Sequence, residues 1–263
     1  MGEVSFGSWP AEGWSTRRRG VVEMMDADGA DPAMLRQSLE FIERVNRWLG
    51  YTAATIRHLD RLTHPWPAGR RLAVLDIATG TADMPRAIGA WAARKKLDVA
   101  ITAIDRHEQT LAVARQKTRD PRIRLLQADA LRMPFNDNSF DIVTCSMFLH
   151  HLDGSDAVKV IRSADRLARH GVIIADLLRG RRALAWISLF TLFSNAMVKH
   201  DARVSVRQAF TVDELCSAAA EAGAIYLKPR VHFGHRVVLS GIKPKAPPRS
   251  EEHTSELQSL TNL

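Results

Sequence analysis

A chain of 263 residues with 46% hydrophobic content can fill one large core, and its two widely separated cysteines, Cys145 and Cys216, exclude a disulfide framework. No run of about 20 apolar residues marks a membrane span, and no charged-then-apolar start marks a secretory signal, so a reduced, cytoplasmic protein is expected. The formal charge of +8 is dispersed in short clusters ("RRR" 17–19, "RKK" 94–96, "RGRR" 179–182) without an aromatic-rich stripe, which favours a solvated basic surface over a nucleic-acid tract.

Residues 1–20 carry neither helical nor strand periodicity and are rich in Gly, Ser and Pro, so a flexible leader is expected over 1–29. Asp31 then stands as an N-cap, with Pro32 in the first turn. Leu35, Leu39, Ile42, Val45 and Leu49 recur at three- and four-residue steps, which predicts a helix ending on Gly50. A second helix near 52–63 completes a helical cap over 30–69.

From Leu72 onward strands and helices alternate. "LAVLDI" (72–77) precedes the helix "DMPRAIGAWAARKK", which closes on cations suited to its C-terminal dipole. "VAITAID" (99–105) precedes "EQTLAVARQK", and "IRLLQAD" (123–129) follows. "FDIVTCS" (140–146) precedes "DAVKVIRSADRLAR" and "GVIIADL" (171–177). One long apolar helix with basic flanks is expected over 181–200, then a capping box from Thr211 to Glu214, then strands near 224–231 and 235–242. The pattern predicts an α/β domain over 70–243: a doubly wound, mostly parallel, seven-stranded Rossmann-like sheet with an N-terminal helical cap and a lid helix after strand five. Residues 244–263 are expected to be a disordered tail, and "RSEEHTSELQS" from Arg249 resembles a translated sequencing adapter, so it is left out of the fold reading.

Ligands of such sheets lie beyond the carboxyl ends of the strands, where this chain places Asp76, Asp105, Asp129 and Ser146. Gly80, in "LDIATGTADMP", lets backbone approach a ligand closely, and the next helix offers unpaired amides to a carboxylate. Asp105, 25 residues on, suits two ribose hydroxyls; Asp129 can accept from an exocyclic adenine amine while the Ala130 amide donates to a ring nitrogen. Ala82 occupies a packing position that tolerates alanine, and Ala78 is tolerable where its φ stays below zero. A ligand without a pyrophosphate makes fewer demands on this turn, so NAD is disfavoured. No His or Cys spacing marks a metal site.

The segments "VLDIATGTADMP", "ITAIDRHEQTLAVAR", "LLQADALRMPF" and "FDIVTCSMFLHHL" resemble the class I S-adenosylmethionine-dependent methyltransferases, and most of all the branch that includes the ubiquinone/menaquinone C-methyltransferases. Members of that branch carry Ala or Cys where Ala78 and Ala82 stand. The resemblance implies S-adenosylmethionine as cofactor, with Asp76 and Gly80 at the methionine moiety, Asp105 at the ribose, and Ala78 and Arg106 among the further cofactor-binding residues. It also implies Asp129 and Ala130 at the adenine, and Ser146 and Met147 at the amino group and sulfonium methyl. "RVNRWLGY" and "HDARVSVRQAF" resemble a bacterial subgroup of small-molecule methyltransferases that points to quinone, phenol or polyketide acceptors. The Asn/Asp-Pro-Pro-Tyr segment of amino-methylating nucleic-acid enzymes is absent after strand four, where "SMFLHHL" stands.

The expected acceptor is therefore a small apolar aromatic, quinone-like or polyketide-like molecule methylated on oxygen or ring carbon. His150, His151 and His200 are the candidate bases, and Arg207 and Trp186 the candidate acceptor contacts. The helix at 181–200 is expected to be a buried lid or, alternatively, an apolar face at the membrane periphery with Arg181 and Arg182 at the headgroups. An NAD(P)-dependent oxidoreductase and a catalytically silent S-adenosylmethionine-binding module are the rival functions.

Overall fold

The computed structural model describes residues 31–244 apart from 65 and 234, together with Arg17, Glu23 and Met24. The leader and tail expectations otherwise fall outside the described residues. Helix α1 (Pro32–Trp48) starts where Asp31 accepts from the Ala33 and Met34 amides, and Gly50 turns the chain in left-handed backbone into α2 (Tyr51–Thr63). The sheet and its crossings follow as β1 (Arg71–Ile77), α3 (Asp83–Arg94), β2 (Asp98–Asp105), α4 (Glu108–Lys117), β3 (Ile123–Gln127), β4 (Phe140–Ser146), α5 (Gly154–Leu167) and β5 (Ala168–Leu177). Helices α6 (Arg181–Phe190), α7 (Ala196–Gln208) and α8 (Val212–Glu221) then lead to β6 (Lys228–His232) and β7 (Arg236–Ile242).

The seven strands run in the order β3-β2-β1-β4-β5-β7-β6, with β1 to β5 parallel and β7 antiparallel to both neighbours. Both sheet faces are buried, so the strands read as nearly continuous apolar runs whose side chains still alternate between two cores. Leu72, Val74, Ile142 and Ile173 join α2 and α3 residues in one core; Leu75, Ile77, Val143 and Val172 join α5 and α8 residues in the other. The winding reverses beside β1, between β2 and β4, and that opens a crevice at the carboxyl ends of the parallel strands.

The single helix expected over 181–200 is two helices. The Thr191 hydroxyl bonds back to the Ile187 carbonyl at 2.8 Å, and Asn195 caps α7 by accepting from the Val198 amide at 2.9 Å. Short polar side chains here compete with the helical ladder and win. The capping box at Thr211 and Glu214 forms as its spacing predicts.

Candidate functional site

The loop joining β1 to α3 has a backbone that glycines would adopt easily. Ala78, Gly80 and Ala82 all have positive φ, at 55°, 55° and 58°. This corrects the expectation of negative φ at Ala78. Left-handed backbone costs an L-residue roughly 1–2 kcal/mol, so something must hold the two alanines there. Three hydrogen bonds do so: the Thr79 amide to the Ile104 carbonyl at 2.9 Å, the Gly80 amide to Asp105 Oδ2 at 2.9 Å, and the Ala82 amide to the Thr79 carbonyl at 2.9 Å. Ala82 is fully buried, which fixes it from the other side. A Cβ built on Gly80 meets no atom within 4 Å, so the glycine faces open space.

That space belongs to a cavity of about 460 Å³. Its inner end is walled by Ala78, Gly80, Asp105, Arg106, Asp129, Ala130, Ser146 and Met147, eight of the nine residues expected at the cofactor. Asp105 holds the Gly80 amide with one oxygen and the His107 amide with the other, at 3.0 Å, and its carboxylate, an acceptor suited to a diol, lines the cavity. Asp129 accepts from the Leu131 amide at 2.9 Å through Oδ1. Ser146 Oγ is buried at the end of β4 with no hydrogen-bond partner among the described residues. A buried orphan hydroxyl at a cavity wall is a place for a ligand's polar group.

Asp76 is the exception. It is 1% exposed, lies behind the cavity wall rather than on it, and accepts from the Thr144 hydroxyl at 2.7 Å. Burial pushes its carboxyl up to about 7. Its influence on a ligand is therefore that of a charge placed behind the loop. Burial likewise raises Asp83, which lines the cavity at the start of α3. Helix α1 roofs this end: Glu43 pairs with Arg86 at 2.5 Å and Lys117 at 2.7 Å, and Asn46 donates to Asp83 at 3.4 Å.

The outer end of the cavity holds His150 and His151, on the single turn after β4. Asp176, at the end of β5, grips His150 twice, accepting its amide at 3.0 Å and its ring Nδ1 at 2.6 Å. With Nδ1 committed to the carboxylate, Nε2 is left to accept a proton, and it lies 3.9 Å from Glu23 Oε1. Glu23 also accepts from the Ser205 hydroxyl of α7. Arg17 stacks 3.7 Å over Phe210 and donates to the Gln208, His150 and Leu152 carbonyls, so two residues of the supposed leader brace this wall. Glu23, His150 and His151 bring three ligand atoms within 4.8 Å of one another, a set able to hold a divalent ion that sequence spacing did not reveal.

Two expected acceptor-side residues do not reach the cavity. His200 pairs with Asp201 at 3.0 Å, and Asp201, not His200, lines the wall; Arg207 likewise lies off the wall, between Val206 and Gln208, which line it. Trp186 does line the cavity, with Ala183 and Ile187. The arginine at the wall is Arg236 of β7, 3% exposed, opposite Leu177 and one position from the strand partner of Asp176. Its guanidinium donates to the Leu49 carbonyl at 3.0 Å, while Nε has no partner among the described residues. Burial lowers it to about 10, so it stays cationic at neutral pH.

A family profile described as a methyltransferase domain matches residues 75–175. Those residues carry most of β1 to β5, the parallel part of the seven-stranded sheet, and this is the part that resembles a class I S-adenosylmethionine-dependent methyltransferase domain, a resemblance that implies S-adenosylmethionine as cofactor. Within that class the sequence stands near the quinone C-methyltransferase branch. The ubiquinone/menaquinone biosynthesis C-methyltransferase of Idiomarina loihiensis is 34% identical over 106 residues, covering 39% of this chain and 40% of that protein. The demethylmenaquinone methyltransferase of Staphylococcus epidermidis is 33% identical over 104 residues, covering 39% and 41%. The match thus spans about two-fifths of the length of these relatives. Among solved structures, phosphoethanolamine N-methyltransferase 2 of Haemonchus contortus superposes with a TM-score of 0.54 at 16% identity, over 77% of this chain and 57% of that one. The magnesium protoporphyrin IX methyltransferase of Synechocystis, with bound S-adenosylhomocysteine, gives 0.51 at 13% identity, over 74% and 84%. At these identities the structures speak for the fold alone.

The side chains fit the cofactor. The open face of Gly80, the Asp105 carboxylate and the unpaired Ser146 hydroxyl meet, in one cavity, the needs of close backbone approach, a ribose diol and an ammonium or carboxylate group.

Proposed function

We propose that this protein methylates an oxygen or ring carbon of a small, ionisable, apolar aromatic acceptor of quinol, phenol or polyketide type, with His150 as general base. The observation that carries the reading is the buried His150–Asp176 pair at 2.6 Å, on the wall of the same cavity as the cofactor residues. The names of the two relatives, a ubiquinone/menaquinone C-methyltransferase and a demethylmenaquinone methyltransferase, support the acceptor class.

When bound, S-adenosylmethionine supplies an electrophilic methyl on a sulfonium, and the acceptor atom must lie in line with that bond at about 3–3.5 Å. His150 Nε2 takes the acceptor proton, and Asp176 holds the ring and stabilises the imidazolium. Arg236 donates to the anionic oxygen of the acceptor, a role given to Arg207 on sequence grounds. Trp186 and Ile187 supply an apolar wall and exclude water.

Phenols and quinols screened with isotopically labelled cofactor identify the acceptor. With it in hand, His150→Gln lowers kcat by about 10²–10⁴-fold and leaves the cofactor dissociation constant unchanged. Full activity in that variant removes His150 as base. Binding of NAD(P) without binding of S-adenosylmethionine, measured by calorimetry, would restore the oxidoreductase alternative.

A further inference from the structure

We infer that α6 and the turn after it form a docking face for an anionic lipid surface. Five of the eleven large hydrophobic side chains exposed among the described residues fall within 186–193: Trp186 at 50%, Leu189 at 62%, Phe190 at 42%, Leu192 at 55% and Phe193 at 98%. Single exposed apolar residues are ordinary, but a contiguous patch of this kind marks an interaction surface. The Trp186 and Phe190 rings stack at 5.9 Å, which makes the patch continuous along the helix, and α6 itself buries only Ala183.

Charge selects the occupant. Arg181 and Arg182 are exposed at the first turn of α6, and no acidic residue occurs from 181 to 200. Cations at a helix N-terminus oppose the helix dipole, so these arginines do not serve the helix. Aromatic and aliphatic side chains beside basic ones are the pattern of a helix lying in the headgroup layer, with arginine stems running along the apolar surface and guanidinium groups on lipid phosphates. No described helix is long and apolar enough to cross a membrane, so the contact is interfacial. Helix α6 also lines the cavity through Ala183, Trp186 and Ile187, so Trp186 borders both surfaces and the lipid face adjoins the acceptor pocket along one helix.

The test is flotation of the full chain with vesicles of phosphatidylcholine alone or mixed with phosphatidylglycerol, and it needs neither cofactor nor acceptor. Failure here therefore leaves the methyl-transfer reading standing. The expected result is flotation with the anionic vesicles, weakened by about tenfold or more in Arg181→Glu/Arg182→Glu and abolished in Leu192→Ser/Phe193→Ser. Neither pair touches the cavity wall, and circular dichroism reports whether each variant is folded. Recovery of the parent protein in the soluble fraction at every lipid composition overturns the inference. So does flotation that both variants retain. A concentration-dependent dimer in sedimentation velocity, lost in the serine variant, would assign the face to a second copy instead.

Discussion

Asp76→Asn tests the electrostatics of the site most directly. Burial lifts the Asp76 carboxyl from 3.8 in the unfolded chain to about 7, which corresponds to roughly 4 kcal/mol against the ionised native form. The folded protein thus binds this proton more tightly than the unfolded chain. The contribution of Asp76 is least unfavourable near pH 4, and its cost grows as pH rises through 7. Asparagine keeps an oxygen for the Thr144 hydroxyl and removes the charge, but it buries an amide donor at a cost of about 1–3 kcal/mol. At pH 8 the variant should therefore be more stable by about 1–3 kcal/mol, a rise of roughly 2–10 °C in Tm. Near pH 4, where aspartic acid and asparagine are both neutral, the gain should vanish or reverse. Cofactor affinity should move the opposite way, because the cofactor brings a sulfonium to a loop backed by this carboxylate. Thermal melts across pH 4–8, with calorimetric titration of S-adenosylmethionine at each end, measure both. A Tm difference independent of pH would refute the burial argument, and unchanged affinity at pH 8 would refute the role of the charge.

Gly80→Ala should cost the fold only about 1–2 kcal/mol, from its left-handed backbone, yet weaken cofactor binding at least about tenfold because the new methyl enters the cavity. Equal losses in both would show that the glycine is merely structural. Asp105→Ala should weaken the cofactor by about 1–3 kcal/mol and lower Tm as well, since it strands the Gly80 and His107 amides. An unchanged dissociation constant would move the ribose elsewhere. Chelation should leave turnover intact if His150 is a base; activity that is lost with EDTA and restored by a divalent ion would instead make Glu23, His150 and His151 ligands.

Much of the fold is legible in the chain because strands buried on both faces must be apolar and the helices between them one-sided. Helix α4, Glu108–Lys117, and strand β4, Phe140–Ser146, fall at their expected limits. The break before α7 was hidden by an apolar run without Gly or Pro, although the Ser194-Asn195 pair carried the signal of a cap. The grouping of Asp105 and Asp129 on one cavity wall was equally legible, because Asp105 closes β2 and Asp129 stands two residues past β3, at the same edge of the sheet. The acceptor end was not. Asp176 meets His150 only because the end of β5 lies beside the turn after β4, and Arg236 reaches the wall through antiparallel pairing with β5. Glu23 and Arg17 arrive from a segment whose composition predicts no structure. No periodicity encodes such meetings.

The loop after β1 shows that a conformation credited to a residue type can be inherited through its tethers. With the Ile104 and Thr79 carbonyls and the Asp105 carboxylate in place, the turn keeps its shape with two methyl groups where hydrogens would suffice. Counting glycines therefore underestimates how many chains can build this cradle. A better search criterion is the acidic residue that closes the following strand, since it both shapes the turn and lines the cavity beyond it.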